Sequence, residues 1–94
     1  MNVEYHNDAA DKLDGYKDLD DDLLEAYDKA IDKLWEDSRE LFLRSTFLRP
    51  PGSYVVEVFV PGRSTDDHYY FFWVEEPGNV AFIRAVATTK TKIV

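Results

Sequence analysis

Between Asp20 and Asp37 the apolar positions Leu23, Tyr27, Ala30, Ile31 and Leu34 recur at i, i+4, i+7, i+8 and i+11, with Leu24 and Trp35 widening the stripe. The intervening positions Glu25, Asp28, Lys29, Asp32 and Glu36 are charged. Apolar residues at helical period opposite a charged face predict an amphipathic helix ending near Asp37. Asp20 is the expected N-cap, and Asp21 and Asp22 fall in the first turn, where their charge meets the positive end of the helix dipole. Upstream, Val3 and Tyr5 alternate with Asn2, Glu4 and His6, which predicts a short opening strand. Asn7 or Asp8 is the expected cap of a short helix carrying Ala9, Ala10, Leu13 and Tyr16, weakened at Gly15.

Beyond residue 52 the period changes to two. Ser53 to Val60 reads as a strand, Pro61-Gly62 as a turn, and Asp67 to Glu75 as a second strand. Pro77-Gly78-Asn79 reads as a hairpin turn, and Val80 to Thr89 as a last strand. The stretch from 38 to 52 mixes Leu41, Phe42, Leu43, Phe47 and Leu48 with Arg39, Arg44 and Arg49. It is compatible with a helix end or a loop, closed in either case by Pro50-Pro51-Gly52. The expected fold class is α+β, in the order β-α-α-β-β-β. Two N-terminal helices pack on one face of a mainly antiparallel four-stranded sheet, and residues 1–94 form a single domain.

The strand 68–74, HYYFFWV, sets five aromatic rings in a row. Alternation puts Tyr69, Phe71 and Trp73 on one face and Tyr70, Phe72 and Val74 on the other, so five neighbouring rings cannot form one stacking platform. One set is expected beneath the helices and the other on the open face.

Charge adds an asymmetry to this outline. The chain carries a net charge of −8, and residues 1–38 hold 13 acidic and 4 basic side chains against 6 acidic and 7 basic in 39–94. All five arginines lie in the second part. A chain this acidic lacks the general electrostatics of a nucleic-acid binder, leaving only a local cationic cluster for that role. There is no cysteine, which removes disulfides, thiolate metal sites and thiol nucleophiles. With 94 residues and 45% hydrophobic content, the chain is expected to bury roughly 60–65% of its unfolded surface as one domain. Neither a signal-peptide pattern nor a bilayer-length apolar run is present, so a cytoplasmic protein without membrane partners is expected.

Conventional catalytic and metal-binding strings are absent. His6 and His68 have no paired ligand spacing, and the Asp18 to Asp22 run lacks the glycine and distal glutamate of a calcium loop, whereas helix capping accounts for it. No metal or cofactor is expected. The cations of the second half, Arg63, Arg84, Lys90 and Lys92, are the candidates for holding a phosphate and stabilising its developing charge. For the two lysines the competing role is protection of an edge strand.

The strings NVEYHNDAADKL, LLEAYDKAIDKLWED, GSYVVEV, HYYFFWV and NVAFIRAVATTKTK, in this order and spacing, resemble the RelE/ParE superfamily of bacterial toxins, most of all its HigB-like branch, over nearly the whole chain. The resemblance implies a type II toxin-antitoxin protein. Such a protein arrests growth by cleaving mRNA on the ribosome without a metal, or by poisoning gyrase, and a cognate antitoxin neutralises it. Under that reading Arg63, Arg84 and Tyr70 are the expected catalytic residues, and Lys90 and Lys92 bind substrate. The chain departs from the family pattern at Glu57, where many members of the family carry arginine in a G-x-Y-x-x-R string. It departs again at Tyr70, where a Tyr-Arg pair is common. These departures motivate an alternative: a non-catalytic inhibitor that binds a host protein through the same fold.

Overall fold

The computed structural model describes residues 1–63 and 66–93, and in it the elements run β1 (Asn2–Tyr5), α1 (Asn7–Leu19), α2 (Asp21–Trp35), a 3-10 turn (Leu41–Leu43), β2 (Phe47–Leu48), β3 (Ser53–Val58), β4 (His68–Glu76) and β5 (Val80–Thr89). The cap of α1 is His6, one residue earlier than expected; its Nδ1 accepts from the Asp8 N–H at 3.1 Å. Helix α1 runs through Gly15 to Leu19. At the head of α2, Asp20 fills its expected role, its side chain accepting from the Leu23 N–H.

The expected four-stranded sheet is in fact a five-stranded mixed sheet in the order β1-β5-β4-β3-β2. The added strand is β2. The Leu48 carbonyl accepts from the Gly52 N–H at 2.7 Å, closing the Pro50-Pro51 turn, so Phe47 and Leu48 pair with Tyr54 and Ser53. Stiff prolines and a glycine at φ 85° turn the chain back tightly enough for a two-residue strand to form where the sequence suggested only a loop. The first strand inserts beside the last, β1 running parallel to β5, while the remaining pairings are antiparallel.

Both helices lie against one face. Leu13, Leu23, Tyr27, Ile31 and Leu34 pack there with Val56 and Val58 of β3, Tyr69, Phe71 and Trp73 of β4, and Ala81, Ile83 and Val86 of β5. Burial of this set is the main stabilising contribution, at about 25 cal/mol per Å² of apolar surface. Polar anchors set its geometry. The Tyr27 hydroxyl sits 3.0 Å from the Tyr70 carbonyl and 3.3 Å from that of Ala87, and Trp73 Nε1 donates to the Leu43 carbonyl at 2.9 Å. Burial pushes the Tyr27 hydroxyl well above the usual phenol range. Alternation assigns the rings of β4 as expected, since Tyr69, Phe71 and Trp73 face the helices.

One strand breaks the period. Phe72 pairs with Ala85 and Trp73 with Ile83, so Arg84 is an extra residue bulged out of β5. The bulge changes the phase: Ala81 and Ile83 face the helices before it, and Val86 does so after it. No helix among the described residues is long and apolar enough to cross a membrane.

Candidate functional site

The face opposite the helices carries the alternate residues Val55 and Glu57 of β3, His68, Tyr70 and Phe72 of β4, and Ala85, Ala87 and Thr89 of β5. The Tyr70 side chain is fully buried although it stands outside the helix-side core. What covers it is the segment after β5: the Ile93 N–H donates to the Tyr70 hydroxyl at 3.0 Å, and Lys92 Nζ lies 3.9 Å from Glu57 Oε1. The HYYFFWV strand is therefore closed on both sides at Tyr70, and neither of its ring sets offers a stacking surface there.

Within this layer His68 Nδ1 lies 3.0 Å from Glu57 Oε2, with both side chains largely buried. Glu57 pairs directly with Tyr70, which makes His68 its diagonal neighbour, and the imidazole stacks near the Tyr70 ring with centroids 6.5 Å apart. Glu57 and His68 open into a cleft of about 400 Å³ that Arg63, Asp67 and Lys92 also line.

The structure thus brings Arg63 and Lys92 to one cleft, but it gives each nominated cation a partner. Arg63 donates through Nη2 to the Asp20 carboxylate and through Nη1 to the Tyr69 hydroxyl at 3.3 Å, tying the β3–β4 loop to the α1–α2 junction. The paired carboxylate raises the Arg63 pKa, and Arg63 in turn holds Asp20 below its ordinary value. Lys90 meets Asp67 at 2.6 Å, and this hydrogen bond pushes its pKa up. Lys92 lies against Glu57. Three cations face three carboxylates, so this end of the sheet has no surplus positive charge with which to attract a phosphate.

Arg84 lies apart from that cleft. It is exposed at the β5 bulge, and its Nη1 donates to the Pro51 carbonyl at 3.4 Å. Because Pro51 belongs to the turn between β2 and β3, the guanidinium reaches toward the far side of the sheet, away from Arg63. Among the described residues no cluster of three or more histidine or acidic side chains is placed to hold a metal ion.

The Glu57–His68 pair is the feature that sequence reasoning missed. Glu57 registered only as a departure from an arginine pattern, and His68 as a polar strand end. Alternation placed Tyr70 on a defined face, but the long 59–67 connection leaves the β3–β4 register open, and that register is what makes Glu57 and His68 neighbours. In comparisons with known proteins, no family model, no curated protein and no solved structure matches this chain.

Proposed function

We propose that this chain is a toxin-like inhibitor of growth that acts by binding another protein, not by cutting RNA. The observation that carries the reading is the pairing of its candidate phosphate-binding cations: Arg63, Lys90 and Lys92 each stand beside a carboxylate of the same chain. A nuclease site of fixed cations works because their charge is free for the developing phosphate charge. Here that charge is already compensated, in a molecule of net charge −8. The toxin component rests on the order and spacing of the strings quoted above. A cognate antitoxin or a host factor such as gyrase is the corresponding partner class, and the cytoplasm is the corresponding compartment.

Inducible expression in a bacterial host tests this directly. Growth should stop while bulk mRNA stays intact, and Arg84→Ala should arrest growth as well as the wild type. Unimpeded growth, or arrest accompanied by mRNA cleavage that Arg84→Ala abolishes, would overturn the proposal.

A second reading is favoured by one contact, His68 against Glu57 at 3.0 Å, with the imidazole stacked near the Tyr70 ring. A carboxylate-oriented imidazole is suited to general acid–base work on a ribose hydroxyl, with Lys92 at the same cleft. On this reading mRNA cleavage depends on His68 and disappears in His68→Ala. Intact transcripts in arrested cells eliminate it.

A further inference from the structure

Among the described residues, strand β3 has a side that the sheet leaves uncovered. Its partner β2 pairs only with Ser53 and Tyr54, and after a final bond from the Val55 N–H to the Thr46 carbonyl at 3.1 Å the outer chain departs toward the 3-10 turn. That bond fixes the direction of the peptide groups. In a strand, N–H and C=O of alternate residues point to the same side. Val55 points outward, so the N–H and C=O of Glu57 point outward too; β3 ends at Val58, and Phe59 is the residue by which an added strand would lengthen it.

A groove of about 480 Å³ runs beside this edge, between β3 and α2. Small residues, Ala26 and Ala30, open it on the helix side, and the aromatic rings of Phe42 and Phe59 border it. Phe59 is 78% exposed, a large ring left facing solvent beside the groove. The charged groups around the groove and its continuation toward Pro61 are Asp22, Glu25, Glu57 and Lys29; Lys29 is held by Glu25 at 3.2 Å, and Glu57 is engaged by His68 and Lys92. The rim is net negative. An unpaired edge of this kind is a template for an added strand unless something blunts it, and Val55 to Phe59 holds neither lysine nor proline.

We propose that this edge docks an extended segment of a partner protein, added as a strand beside Val55–Phe59, with apolar side chains toward the Phe42–Phe59 groove and basic side chains toward Asp22 and Glu25. The proposal rests on the protein-binding reading above and names its site. Charge selects the occupant: a second copy brings the same acidic rim and a net charge of −8 against itself, whereas a lysine- or arginine-bearing segment meets complementary charge.

The test uses the full chain and a short end-blocked peptide alternating lysine and valine, followed by amide NMR and hydrogen exchange. Saturable binding should slow exchange at Glu57 and Phe59, and a counterpart peptide with glutamate for lysine should not bind. Phe59→Pro removes the outermost donor without entering the β3–β4 ladder. It should weaken binding about tenfold, the equivalent of roughly one hydrogen bond, whereas Phe59→Ala keeps the amide and should weaken it less. Ala30→Lys, which fills the groove from the helix and reverses its charge, should also weaken binding. Absence of binding, equal binding of the two peptides, binding indifferent to both Phe59→Pro and Ala30→Lys, or self-association of the free chain through this edge would each overturn the assignment. Growth assays separate this proposal from the one beneath it. Arrest by the wild type and equally by Phe59→Pro sinks the edge and leaves the protein-binding reading standing, whereas no arrest by the wild type sinks that reading whatever the peptide does.

Discussion

Single residues in this fold do separable work, and Ser53 illustrates the least productive kind. Its Oγ is fully buried and has no hydrogen-bond partner among the described residues, while its backbone pairs with Leu48. A buried hydroxyl without a partner costs about 1 kcal/mol or more. Ser53→Ala should therefore be neutral or stabilise the protein by up to about 1 kcal/mol in urea unfolding; a clear loss of stability would mean that the hydroxyl has a partner in solution. Asp20 is the opposite case, serving as the N-cap of α2 and the anchor of Arg63. Its folded pKa is depressed chiefly by the Arg63 hydrogen bond, so its contribution is present above the unfolded value of 3.8 and fades as pH falls through the folded one. Asp20→Asn keeps a capping oxygen and removes the charge. The variant should lose stability at neutral pH and show a shallower decline below about pH 4 than the wild type, measured by thermal unfolding across the acid range. Parallel declines would remove the ion pair from the account.

At the scale of elements, the chain announced itself wherever one physical period ran uninterrupted. Helix α2 was legible from Leu23 to Leu34 because one apolar stripe faces the sheet and the rest faces water. The limits of β5, Val80–Thr89, were legible because turn residues bound it. Two things were not. Strand β2 is two residues long and exists only because the Pro50-Pro51-Gly52 turn presents it to β3, so no periodicity of its own could betray it. The bulge at Arg84 replaces one alternation with two of opposite phase, and a period-two reading across Val80–Thr89 averages over that change. The bulge and the open β3–β4 register hid the candidate site. Arg84 was grouped with Arg63 on chemistry alone, whereas the bulge and the loop direct them apart. His68 and Glu57 were unremarkable until the register made them diagonal neighbours.

For the whole molecule the governing quantity is where charge is left uncompensated. The cations of the sheet are largely paired, and the surplus of acid lies in residues 1–38, where 13 acidic side chains meet 4 basic ones. The protein should accordingly pass through a heparin column without retention at about 0.1 M salt, where the screening length is about 10 Å. Retention that salt reverses would point to a cationic surface that the paired geometry does not provide and would return RNA to consideration. Sheet connectivity sets a second molecule-wide limit. Strand β5 is hydrogen-bonded to β1 on one side and β4 on the other, and the parity of its side chains reverses at Arg84. Substitution at this exposed position is therefore cheap, and Arg84→Ala should shift stability by less than about 0.5 kcal/mol. Deleting the residue is a different kind of change. It joins Ile83 directly to Ala85, so plain alternation then carries Ala81, Ile83 and Val86 to the helix face and the pairing with β4 continues unbroken; the deletion should leave a folded chain with a cooperative circular-dichroism melt, and loss of that melt would mean that the bulge itself is required. At residue 84 the ladder carries one residue more than its pairing needs, so the strand keeps its faces whichever side chain stands there and even when none does.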